Sequence, residues 1–110
     1  MRIEIRSLDH RLDSAAVGQV ERRLRFALGR FEGVVDCVSV RVRDVHQLQR
    51  HEWDRSCRVE VALTFGETVD CEATGSDLLG TVDAVSDRIA RLVTHHVKRH
   101  QKAGTARVLV

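Results

Sequence analysis

The sequence predicts an α+β fold of order β-α-β-β-β-α, a four-stranded open sheet with two helices packed on one face. Three observations carry this. Four segments alternate between apolar and polar residues, the mark of strands buried on one side only. Two longer segments repeat their apolar residues at helical spacing. The chain has 110 residues, 43% apolar and 31% charged, which suits one globular domain with one modest core.

The first strand is RIEIR, residues 2–6, with Ile3 and Ile5 on one face and Arg2, Glu4 and Arg6 on the other. Asp13 or Ser14 then caps a helix over 14–31. Its stripe is Val17, Val20, Leu24, Leu28 and Phe31, and Gly33 is its expected stop. Three strands follow. VDCVSVRVRDV (35–45) sets Val38, Val40 and Val42 against Ser39, Arg41 and Arg43. CRVEVALTF (57–65) sets Cys57, Val59, Val61, Leu63 and Phe65 against Arg58, Glu60, Ala62 and Thr64. ETVDCEA (67–73) turns Val69, Cys71 and Ala73 inward, and Gly66 with Glu67 suits a tight hairpin before it. One-sided burial in every strand means an open sheet with its helices on a single face. Residues 45–56, VHQLQRHEWDRS, are expected to form one long connection. TGSD then opens the last helix, with Ser76 or Asp77 as cap and Leu78, Val82, Val85, Ile89, Leu92 and Val93 as core stripe. Past residue 93 the same face carries His96 and His100, so this helix should outrun the sheet. Residues 1–102 form the single expected domain. AGTARVLV (103–110) is a short C-terminal tail, expected to be disordered or to add a strand.

The charge is distributed unevenly. RIARLVTHHVKRHQK, residues 88–102, holds five lysines and arginines, three histidines and no carboxylate, in a chain whose net charge is only +2. At about 100° per residue, Arg88, Arg91, His95, Lys98, Arg99 and Lys102 share one stripe, while Asp83 and Asp87 lie earlier and toward another side. Interaction with the helix dipole accounts for cations in the last turn, at about 0.3–1 kcal/mol each, but does not reach Arg88 or Arg91. On the first helix Arg22, Arg23, Arg25 and Arg30 avoid the core stripe. Phe26 projects among them, either half-covered by its long neighbours or free to stack on a base. Two helices side by side, each presenting cations, would neutralise phosphates and release counterions. Arginine's planar fork suits phosphate oxygens. The near-zero net charge argues for one basic side rather than an indiscriminate polyanion binder.

Other constellations carry less. Cys37, Cys57 and Cys71 have no disulfide or metal spacing and read as buried free thiols. His96 and His100 stand one helical turn apart, as zinc ligands do, without an evident third ligand. His46, His51, Glu52 and Asp54 invite a hydrolase or metal reading, but no nucleophile signature or phosphate-cradling glycine loop accompanies them. Trp53 either plugs the connection onto the sheet edge or contacts a partner. No apolar run approaches a membrane span and no signal-peptide core is present, so the expectation is a cytoplasmic protein with no cofactor and no catalysis.

EATGSDLLGTVDAVSDRIARLVTHHVKRH, residues 72–100, resembles the closing strand and helix of the ribosome hibernation-promoting factor and ribosome-associated inhibitor A family. Asp77, Val82-Asp83, Arg88-Ile89, Leu92-Val93 and the basic run to Lys102 hold matching places, and RFEG at 30–33 resembles the family's first-helix end. Leu79 stands where the family has an aromatic, and His95 and Val97 where it has lysines. The resemblance implies a fold similar to double-stranded-RNA-binding domains. It implies a non-catalytic stress factor that sits in the decoding region of the small ribosomal subunit, on 16S-type ribosomal RNA, and stops translation. It also implies a short form, monomeric when bound, without the extension domain that pairs ribosomes in long members. The RNA contacts expected here are Arg22, Arg23, Arg25, Arg30, Arg88, Arg91, His95, Lys98, Arg99 and Lys102. The alternative is a protein-interaction or dimerisation module of the same fold, using the open sheet face and the Trp53 loop.

Overall fold

The computed structural model describes residues 1–9, 11–47 and 52–109, with side chains for 1–9, 11–45 and 54–103. The elements are β1 (Arg2–Ser7), α1 (Ser14–Leu28), a 3₁₀ turn (Gly29–Phe31), β2 (Val35–Gln47), β3 (Glu52–Leu63), β4 (Thr68–Gly75) and α2 (Leu78–Leu109). The four strands form one sheet in the order β1-β2-β3-β4. β1 runs parallel to β2, and the remaining pairs are antiparallel. A parallel neighbour demands a crossover, which α1 supplies. The α+β, β-α-β-β-β-α architecture expected from the sequence is the one observed.

Register explains why one face is apolar. Ile3 lies opposite Val38, Val38 opposite Val61, and Val61 opposite Val69, so the inward residues of all four strands form continuous rows. Branched valines fit that pleated surface well. Val38, Val40, Val42, Val59 and Val61 are buried beneath Val20, Leu24 and Leu28 of α1 and Val82, Val85, Ile89 and Val93 of α2. Each such side chain contributes about 1.5–3 kcal/mol of burial. Cys57 lies in this core, and burial pushes its thiol up to about 12, keeping it neutral. Cys37 and Cys71 are free and only half-buried, so the expected burial of all three thiols applies fully to Cys57 alone.

The caps follow the side chains. Asp13 Oδ1 accepts the Ala16 amide at 2.7 Å and starts α1. Asp77 Oδ2 accepts the Gly80 amide at 3.0 Å at the head of α2. α1 tightens at Gly29 rather than running regularly to residue 31. Gly66, at φ 96°, makes the β3–β4 turn, and Thr64 and Phe65 belong to that turn rather than to the strand.

Three expectations need correction. The long connection is largely strand: β2 continues to Gln47 and β3 begins at Glu52, paired in register. Its pairing is carried by charge, Arg55 lying 3.2 Å from Asp44 across the ladder, so no apolar alternation advertised it. The roles suggested for His46, His51, Glu52 and Trp53 rest on side chains outside the described residues. The tail is not a strand, because α2 continues through Lys102 to Leu109. Leu92, expected in the core stripe, is exposed at the flank of α2.

Candidate nucleic-acid interface

α1 and α2 run in the same direction across the sheet, as two cross-helix contacts show. Arg23 Nε meets Asp83 Oδ1 at 2.8 Å, and about two turns later on the first helix and three on the last an Arg30 Nη donates to Thr94 Oγ1 at 2.9 Å. Burial of Val20, Leu24 and Leu28 orients the rest of α1. Arg23 and Arg30 point toward α2, and Arg25 turns toward β1, where it pairs with Glu21 at 3.0 Å and approaches the Met1 carbonyl. Arg22 and Phe26 are left facing solvent, Phe26 being 92% exposed rather than half-covered. A cleft of about 680 Å³ separates the helices there, lined by Arg22, Arg23, Phe26, Asp83 and Asp87 among others.

On α2 the buried residues Val82, Val85, Ile89, Val93 and Val97 turn Arg91, His95, Lys98 and Lys102 outward, all of them exposed. Arg88 lies on the flank facing β4 and donates to the Glu72 carbonyl at 2.7 Å. Arg99 lies on the same flank and bonds Glu67 at 3.1 Å, in the β3–β4 turn. The turn also receives His96, whose Nδ1 is 3.0 Å from Glu67 Oε1, and His100, whose ring stacks on Phe65 at 3.9 Å. Hydrogen bonds from His96 first, and from Arg99, hold the Glu67 carboxyl below its usual range. His96 and His100 thus anchor the helix where it leaves the sheet. Among the described residues no group of three or more potential ligands is placed to hold a metal ion.

The ten cations therefore fall into three sets. Arg23, Arg25 and Arg99 sit against carboxylates. Arg30 and Arg88 bond only neutral oxygens, and Arg30 also lies 4.7 Å over the Phe31 ring. Arg22, Arg91, His95, Lys98 and Lys102 have no ion pair among the described residues. Because Thr94 is one turn from Arg91 and Lys98, the Arg30 contact brings the end of α1 against the basic stretch of α2. Positive charge is continuous at that end of the helix pair. Toward the N-terminal half of α2, Asp83 and Asp87 interrupt it in the cleft beside Arg22 and Arg23. The surface offers charge and a planar ring at Phe26.

Sequence reasoning missed two features. Glu67 looked like a turn residue, and its role as the α2 anchor depends on a contact 29 residues away. On the uncovered sheet face, Arg6 lies opposite Arg41, which lies opposite Arg58. Alternation had put all three on outward positions, but their alignment is a matter of register.

No family model and no curated protein matches the chain. Solved structures do. A ribosomal subunit interface protein from Coxiella burnetii superposes with a TM-score of 0.72 at 16% identity, covering 89% of this chain and 99% of its own. The N-terminal domain of Protein Y from Thermus thermophilus gives 0.66 at 20% identity, with 87% and 99% covered. With four strands, two same-direction helices and near-complete coverage of both structures, the chain has the fold of these two proteins.

Proposed function

We propose that this protein is a non-catalytic ribosome-binding factor of the hibernation type. Its two-helix face lies on 16S-type RNA in the decoding region of the small subunit and blocks translation in the cytoplasm. The observation that carries the reading is the uncompensated charge of Arg30, Arg91, Lys98 and Lys102 at one end of the helix pair. It occurs on a fold shared with a ribosomal subunit interface protein. Arg22 and Arg88 extend the phosphate contacts, with His95 beside Arg91 and Lys98 on the exposed side of α2. Arg23, Arg25 and Arg99 reach RNA only by leaving their carboxylates. Such a surface binds through phosphate neutralisation, so affinity falls as salt rises.

Sedimentation with purified small subunits across a salt series tests this. Co-migration that weakens steeply with salt, with protection of decoding-region RNA from chemical modification, is the expected result. Co-migration indifferent to salt, or none at all, overturns the proposal. The alternative of a dimerisation module on the open sheet face has no specific support, because that face is charged rather than apolar, while interface cores are apolar.

A further inference from the structure

The face of the sheet opposite the helices carries its own row of cations. Arg6 on β1, Arg41 on β2 and Arg58 on β3 stand directly opposite one another, and Glu72 on β4 completes the row. Arg43 lies two residues along β2 on the same side. All four arginines are exposed. Like charges directly opposite across a sheet are destabilising, so a folded chain has reason to avoid this arrangement unless something negative completes it.

The two halves of the row differ. On the β3–β4 side the charge is already balanced: Arg58 pairs with Asp70 and lies 3.8 Å from Glu72, which also accepts from Ser56 Oγ at 2.5 Å. Arg43 reaches the same Glu72 only at 3.9 Å. On the β1–β2 side Arg6 and Arg41 have no ion pair among the described residues, and the nearby Glu4 is engaged by Arg2 at 3.3 Å. Surface clefts flank Arg41 on both sides. One of about 400 Å³ is lined by Glu4, Ile5, Arg6, Ser39, Val40 and Arg41, and one of about 220 Å³ by Leu8, Arg41, Arg43, Ser56, Arg58 and Glu72. Apart from Leu8, Ile5 and Val40, of which only Leu8 is exposed, the lining residues carry charge or a hydroxyl.

We propose that Arg6, Arg41 and Arg43 form a second phosphate-binding site, for an RNA backbone crossing the sheet at right angles to its strands. Guanidinium forks and neighbouring hydroxyls, with no aromatic ring among the described lining residues, suit phosphodiester contacts rather than base reading. A row open at the β1 edge, and closed by Glu72 only on β4, suits a continuing polyanion better than a small enclosed anion. The inference rests on the ribosome-binding reading and extends it: cations on two opposed faces would let the chain lie between two RNA segments.

The test uses the full chain and two variants. One is Arg6→Gln with Arg41→Gln and Arg43→Gln; the other is Arg91→Gln with Lys98→Gln and Lys102→Gln. Binding to purified small subunits and to a short polyuridine strand is measured across salt. The sheet variant should melt at or above the wild-type temperature, since repulsion is relieved, with Arg41→Gln alone as a milder check. Its affinity should fall at least about tenfold and its log–log salt slope should flatten by about 2, independently of the helix variant. Wild-type affinity and slope in the sheet variant, with the helix variant impaired, overturn the sheet site and leave the proposed function standing. Polyuridine binding lost in the sheet variant, with no wild-type binding to subunits, keeps the RNA site and overturns the ribosome reading. Loss of self-association or of anionic-vesicle binding with RNA binding intact assigns the row to another partner and overturns it. A wild-type chain that binds neither probe overturns both proposals.

Discussion

Phe26 illustrates how much a single side chain's setting matters. It is the most exposed of the large apolar residues described, at 92%, and it stands beside Arg22 and Arg23 at the mouth of the inter-helix cleft. An aromatic ring kept in water contributes little to folding, so Phe26→Ala should leave stability within about 0.5 kcal/mol in a denaturant melt. The same substitution should weaken binding to small subunits by about 1–3 kcal/mol, the range for loss of base stacking. Unchanged affinity would make the ring a bystander. Gly75 is the opposite case, a residue defined by lack of room. A Cβ there would stand 2.5 Å from Thr81 Oγ1, which is buried and donates to the Asp77 carbonyl at 2.7 Å. Gly75→Ala should therefore cost about 1–3 kcal/mol, read as a lowered denaturant midpoint at constant m-value.

Among the elements, α2 has the least uniform support. Through Val97 it packs on the sheet, and at the β3–β4 turn Glu67 and Phe65 take hold of His96, Arg99 and His100. The Glu67 carboxyl titrates below its unfolded value, near about pH 4 for a free glutamate. Its ionised form therefore stabilises the native anchor above that pH, and the contribution is lost as pH falls through the lowered value. Protection factors of the amides over residues 94–103, which discount the acid-slowed intrinsic rate, should fall on acidification in the wild type. In Glu67→Gln they should already be lower near neutrality and respond less to acid. Identical pH responses in the two proteins would rule out the anchor. The β2–β3 hairpin teaches a related lesson. It extends beyond both neighbours, since β1 pairing ends at Val42 and β4 pairing at Arg55, and an Asp44–Arg55 ion pair links its strands there.

At the scale of the whole molecule, net charge is a poor guide to binding. A chain of +2 has carboxylates to spare for Arg23, Arg25, Arg58 and Arg99, yet leaves Arg91, Lys98 and Lys102 exposed without one among the described residues. These classes should separate by experiment. Neutralising Arg91, Lys98 and Lys102 together should flatten the salt slope of subunit binding by about 2 with an unchanged melting temperature. Arg23→Gln should leave the slope nearly unaltered, because that charge is already matched by Asp83. Equal effects from both would mean that local pairing does not decide which cations meet RNA.

Strand and helix identities, the one-faced burial of the sheet and the basic stretch of 88–102 were all legible in the linear chain. Each depends on spacing between near neighbours, a period of two or of 3.6. Legibility failed where pairing ran through polar residues, as at 43–47 with 52–56, and where helix continuation carried no apolar stripe, as beyond residue 102. It also failed for the charges themselves. That Arg23 faces Asp83, that Glu67 holds His96, and that Arg6, Arg41 and Arg58 align across three strands all depend on residues distant in sequence. Composition counts charges, but the Coulomb interaction depends on distance, and only packing and register set the distances between them.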